Sequence, residues 1–89
     1  MSVSTSEAEF YPGAITEATS QEQYRLGLDY STGHEGVPLD YIMAHMWLNV
    51  AAMNGNQAAR ELRTEISTYM SREEVSEAQR LAREWIESH

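Results

Sequence analysis

YRLGLDYSTGHEGVPLDYIMAHMWLNVAAMNGNQAA, residues 24–59, decides the fold. Its second half reads as one helix, capped by Asp40 and running to about Asn54. Ala44, Trp47, Leu48 and Ala51 form one apolar stripe on it; Met43, Met46, Val50 and Met53 form a second, offset around the cylinder. A helix apolar nearly all round packs on more than one side, so this helix is expected at the centre of the fold. Asn54-Gly55-Asn56 ends it. Upstream, Tyr24, Gly27, Leu28 and Ser31 share a helical face. That helix is expected to start at Ser20, where Ser20 and Gln23 match a capping box. Gly27 inside a helix costs about 1 kcal/mol relative to Ala. Its presence predicts close approach of a second backbone, at Ala44 or Ala51. Gly33 suits the left-handed position after a helix end, and His34 to Leu39 form the connecting loop.

Downstream, Ala59, Leu62, Ile66, Tyr69 and Met70 recur at helical spacing and predict a helix from about Gln57 to Tyr69. Ser71 and Glu74 match a second capping box, with Glu73 in the same first turn. Val75, Ala78, Leu81, Ala82, Trp85 and Ile86 would be its buried face, with Arg80–Glu84 and Arg83–Glu87 as i,i+4 pairs outside. No stretch alternates with period two for long enough to make a strand. The expected class is all-α: four helices in two antiparallel pairs, an αα-hairpin solenoid unit, with Trp47 and Trp85 largely buried. Residues 1–19 read as a flexible acidic tail, 20–56 as the helix-loop-helix, and 57–89 as a capping helix pair. Within the tail, Phe10 and Tyr11 either anchor it on the domain or offer a short motif to a partner.

A chain of 89 residues bounds the answer to one small domain. Fourteen acids face six Arg and no Lys, a net charge of −8, which argues against direct nucleic-acid binding. The acids are uneven: residues 1–59 hold Glu7, Glu9, Glu17, Glu22, Asp29, Glu35 and Asp40 against Arg25 alone. That bias serves solubility, or it engages a basic partner. No run of 18 apolar residues exists and the first ten residues lack a basic, then apolar, leader pattern, so no membrane association and a cytoplasmic place are expected. Cysteine is absent, which removes disulfides, thiolate metal sites and Cys nucleophiles.

Catalytic chemistry finds little to use. The imidazoles are His34, His45 and His89. His45 has Tyr41 and Asn49 at i±4, but no second His or carboxylate at metal-ligand spacing. No nucleophile elbow and no phosphate-binding glycine loop with its Lys are present. No cofactor, no metal and no enzyme activity are therefore expected.

Leu26-Gly27, Tyr30, Gly33, Gly36-Val37, Asp40, Ala44, Trp47, Ala51-Ala52, Gly55 and Ala59 stand in an order that resembles the Sel-one-like repeat, a helical solenoid repeat related to the tetratricopeptide family. The family usually has one residue between the two loop glycines; here His34-Glu35 makes two. Met70-Ser71 and Ala78-Gln79-Arg80-Leu81-Ala82-Arg83-Glu84-Trp85 resemble an extension that follows terminal repeats in bacterial proteins. The resemblance covers about residues 20–88. It implies a bacterial or phage origin and a non-enzymatic adaptor that binds another protein. A small acidic inhibitor or nucleic-acid mimic, such as a phage anti-defence protein, is the alternative, and a self-assembling structural unit is a third reading.

A single repeat leaves a flank that no following repeat seals. Tyr24, Leu28, Tyr41, His45, Met46 and Met53 are the candidate interface residues on it. Its occupant would be the chain's own segment around Phe10, Tyr11 and Ile15, another protein, or a second copy in a homodimer.

Overall fold

The computed structural model describes residues 12–88, with side chains described from Thr19 onward except that of Glu35. Four α-helices follow one another: α1 (Pro12–Thr32), α2 (Tyr41–Met53), α3 (Gln57–Ser67) and α4 (Arg72–Ser88), with a short 3-10 turn, His34–Gly36, between the first two. No strand occurs among the described residues, and the fold is all-α. None of the helices is long and apolar enough to cross a membrane.

α2 is the centre, as its two apolar stripes require. It packs against α1, α3 and α4, whereas α4 scarcely meets α1 or α3. The arrangement is thus three helices around one, and α3 and α4 do not form the antiparallel pair expected. The reason lies in α2: both of its faces are apolar, so α3 covers one and α4 the other.

Local signals explain the helix ends. Asp40 Oδ1 accepts from the Met43 amide at 3.1 Å, capping α2. The Asp40 amide donates to the Tyr30 carbonyl at 2.9 Å and ties the loop back onto α1. At the other end of α2, the amides of Gly55 and Asn56 donate to the carbonyls of Ala52 and Ala51, each at 3.0 Å. That crossed pair is a Schellman motif, and Gly55 supplies the left-handed residue it needs, at φ 93°. Asn56 then caps α3, accepting from the Ala59 amide at 2.8 Å. The Ser71–Glu74 capping box forms in both directions, at 2.8 and 3.1 Å.

The start of α1 departs from expectation. The helix begins at Pro12, eight residues before Ser20, so 12–19 is helix and not tail. Pro at a first helical position is favourable, because its missing amide is not needed there. Ser20 is buried within the helix, and the Gln23 side chain accepts from Asn54 Nδ2 at 3.0 Å instead of capping. The inner face of α1 is Ser20, Gln23, Gly27 and Tyr30, small or polar, which hid it from an apolar-periodicity reading. The expected roles of residues 1–11, Phe10 and Tyr11 included, fall outside the described residues.

Two core clusters lie on opposite sides of α2. Ala44, Leu48, Ala51 and Ala52 meet Ala59 and Ile66 of α3. Met46 and Val50 meet Ala82 of α4, with Trp47, Trp85, Leu81 and Ile86 around them. Trp47 and Trp85 are largely buried, as expected, and meet edge to face with centroids 5.4 Å apart. Gly27 does mark a close approach. A Cβ there would lie 2.5 Å from Leu48 Cδ2 and 3.3 Å from the Ala44 carbonyl oxygen. The expected contact with Ala44 is present, and Leu48 takes the place foreseen for Ala51.

The other motif positions are structural as well. Gly33 and Gly36 adopt φ 72° and 80° around the 3-10 turn, and Ala44 and Ala51 are fully buried. Leu26 is the exception: at 36% exposure it points away from the core.

Candidate functional site

The six interface candidates do not share one surface. His45 and Met46 are 2% and 5% exposed, so both belong to the interior and neither can meet a partner. The expectation failed because α2 is covered on three sides, leaving little of its circumference for an open flank. Met53 is 65% exposed at the end of α2. Tyr41 is half-buried at the other end, stacked on Tyr69 at 5.9 Å. Tyr69, expected on the buried face of α3, lies past the helix end and is 65% exposed.

Tyr24 and Leu28 are brought together. They sit in a groove of about 420 Å³ along α1, between Gln21 at one end and Thr32 and His34 at the other. Spacing explains the groove: residues 21, 24, 25, 28 and 32 form one stripe on a 3.6-residue helix. Tyr24 also reaches the core cluster around Leu48, so its ring is held in place from below. Arg25 and Asp29 line the same stripe. His34 Nδ1 lies 3.6 Å from the Asp29 carboxylate at the rim. The groove therefore joins an apolar floor to one positive and one negative group.

A second cleft, of about 390 Å³, opens between α2 and α4. Asn49 and Met53 supply one wall, Gln79, Ala82, Arg83 and Ile86 the other. Asn49 Oδ1 accepts from Arg63 of α3 at 2.6 Å, so its side-chain oxygen is already engaged. Sequence reading noted Asn49 only as a neighbour of His45 and passed over Arg63, since a polar residue on a helix pairs across helices without any local signature.

His45 is the one buried titratable group among the described side chains that is polar on both edges. Ser67 Oγ donates to the Arg63 carbonyl at 2.9 Å, so its hydrogen is spent. The His45 Nε2–H must then donate to Ser67 Oγ, 3.1 Å away. Nδ1 is left with a lone pair and no partner. Burial first, and then the charge of Arg63, hold the imidazole below its ordinary pKa of 6.5. A neutral, enclosed imidazole links α2 to α3 and lines neither the groove on α1 nor the cleft between α2 and α4. Among the described residues no three His, Cys, Asp or Glu side chains are grouped as metal ligands.

On α4 the charges interleave. Arg80 pairs with both Glu77 and Glu84. The hydrogen bonds from Arg80 hold the Glu77 carboxyl below its usual range and raise the guanidinium. No family model, no curated protein and no solved structure matches this chain.

Proposed function

We propose that this chain is a protein–protein interaction module of the helical-repeat kind: one Sel-one-like repeat, α1 and α2, followed by two helices that cover α2. It acts as an adaptor without chemistry of its own, in the cytoplasm of a bacterium or its phage. The observation that carries this reading is the groove on α1, where the partly exposed Tyr24 and Leu28 lie side by side on one helix. Tyr and apolar side chains on a preformed surface offer contact area at low ordering cost. The placement of Gly27, Asp40, Ala44 and Gly55 agrees with the repeat they resemble, each doing structural work at a helix contact or end. The acidic-mimic alternative draws less support. A mimic needs unpaired carboxylates in a row, and on α4 Glu77 and Glu84 are already paired with Arg80.

The test is capture with a tagged chain and with Tyr24→Glu and Leu28→Glu variants, each checked for helicity. A protein held by the wild type and released by the folded variants supports the reading. Identical captures by all three would overturn it.

A further inference from the structure

We infer that the α1 groove is self-complementary and pairs with the same groove of a second copy, antiparallel, about a two-fold axis at the level of Gly27. The inference rests on reading this flank as an interaction surface and adds who the partner is.

Charge selects the partner. The chain carries −8, so two copies repel wherever acid meets acid. Residues 1–59 contain a single base, Arg25, and it lies in this groove beside Asp29. A partner must therefore present one acid and one base, at the same separation, around an apolar centre. The groove itself presents that set. Arg25 and Asp29 stand two residues to either side of Gly27. A two-fold axis at Gly27 lays Arg25 of each copy opposite the partner's Asp29, so both charged pairs form at once. At about 1.5 Å rise per residue, Leu28 sits close to the axis and meets the partner's Leu28. Tyr24 closes the apolar centre one turn away. The Asp29 carboxylate lies at the rim beside His34, where a crossing Arg25 reaches it.

Among the described residues no other helix covers this face. α1 packs on α2 and, more lightly, on α3, and α4 scarcely meets it. Gly27 itself faces Leu48, so the axis passes a helix seated firmly on the core.

Sedimentation equilibrium up to about 500 μM reads the association, a range suited to a small, two-helix interface. The wild type should dimerise. Arg25→Asp and Asp29→Arg should each weaken the dimer at least about tenfold. The double variant, Arg25→Asp with Asp29→Arg, should return to within about threefold of the wild type, because the pairs re-form with signs exchanged. Since the chain has no cysteine, Leu28→Cys introduces a lone thiol near the axis. Mild oxidation should cross-link it, whereas Ser76→Cys on exposed α4 should stay monomeric. A monomeric wild type, single variants that associate as the wild type does, a double variant that stays weak, or no Leu28→Cys cross-link would each overturn the inference. A monomeric wild type whose groove still captures another protein would overturn this inference and leave the interaction reading standing.

Discussion

α2 presents two unlike faces, and they hold the molecule together by different means. Toward α1 and α3 it offers Ala44, Leu48, Ala51 and Ala52, against Gly27 on one side and Ala59 and Ile66 on the other. Toward α4 it offers Met46 and Val50, with Trp47, Trp85, Leu81 and Ile86 filling the space between the helices. The first face works by proximity: backbones come close, the side chains are short, and Leu48 is fully enclosed. The second works by bulk, with large side chains that stay partly exposed. Both faces belong to one helix, so intrinsic propensity is the same for each. What differs is the room left over. A small-residue contact has none, and it should fail sharply when anything is added or removed.

The largest expected effect is therefore Leu48→Ala, at about 3–5 kcal/mol, the range for a fully buried Leu whose cavity cannot collapse. Trp47→Ala should cost less, about 2–3 kcal/mol, below the usual range for a buried Trp, because part of the ring is already in water. Urea denaturation of the two variants ranks them directly. A greater loss at Trp47 would mean that bulk, not proximity, dominates α2.

Gly27→Ala sharpens the comparison. Helix propensity favours Ala by about 1 kcal/mol. The new methyl would nevertheless press on Leu48, and we expect a net loss of about 1–3 kcal/mol. In a Leu48→Ala background the same substitution should be neutral or stabilising, since the methyl then enters vacated space. A double-mutant cycle that proves additive would break the close-packing account.

A smaller effect comes from the side of α2 that faces α3. His45 resists protonation in the folded state, through burial and Arg63. The unfolded chain takes up its proton near pH 6.5, so it binds more protons than the folded one below that value. Stability from this group is complete above pH 6.5 and declines as pH falls through the lowered folded-state pKa. Denaturation midpoints taken from about pH 7.5 to about pH 5.5 should fall in the wild type. They should fall less in His45→Gln, which keeps a donor for Ser67. Equal slopes would show that His45 is not the group responsible.

The smallest effect belongs to the solvent side of α4. Arg80→Ala removes two exposed ion pairs, and such pairs add little in water. Its melting curve should overlay the wild type, which would confirm that α4 is held by its inner face alone.

Several of these features were open to a reader of the sequence. Asp40, Ser71 with Glu74, and Gly33 and Gly55 act within a few residues of themselves, and local signals predicted them correctly. The stripes of α2 announced a helix covered on several sides. The first turns of α1, residues 12–19, were missed because Ser20 and Gln23 were read as a capping box; both are instead buried inside the helix, against Asn54 and Asn56 far along the chain. Half of the candidate site was legible. Tyr24 and Leu28 share a stripe by arithmetic, whereas His45 and Met46 face inward only because α3 and α4 occupy both sides of α2.

The sequence by itself determined that the fold is all-α, where α2, α3 and α4 begin, and that α2 lies at the centre, since caps, glycines and helical periodicity are short-range physics. The tertiary structure alone decided that α3 and α4 pack separately on α2, that Leu48 meets Gly27, and that the groove on α1 joins Arg25 and Asp29 to an apolar floor. Those outcomes depend on which surfaces exclude water together, and no window of neighbouring residues contains both halves of such a contact.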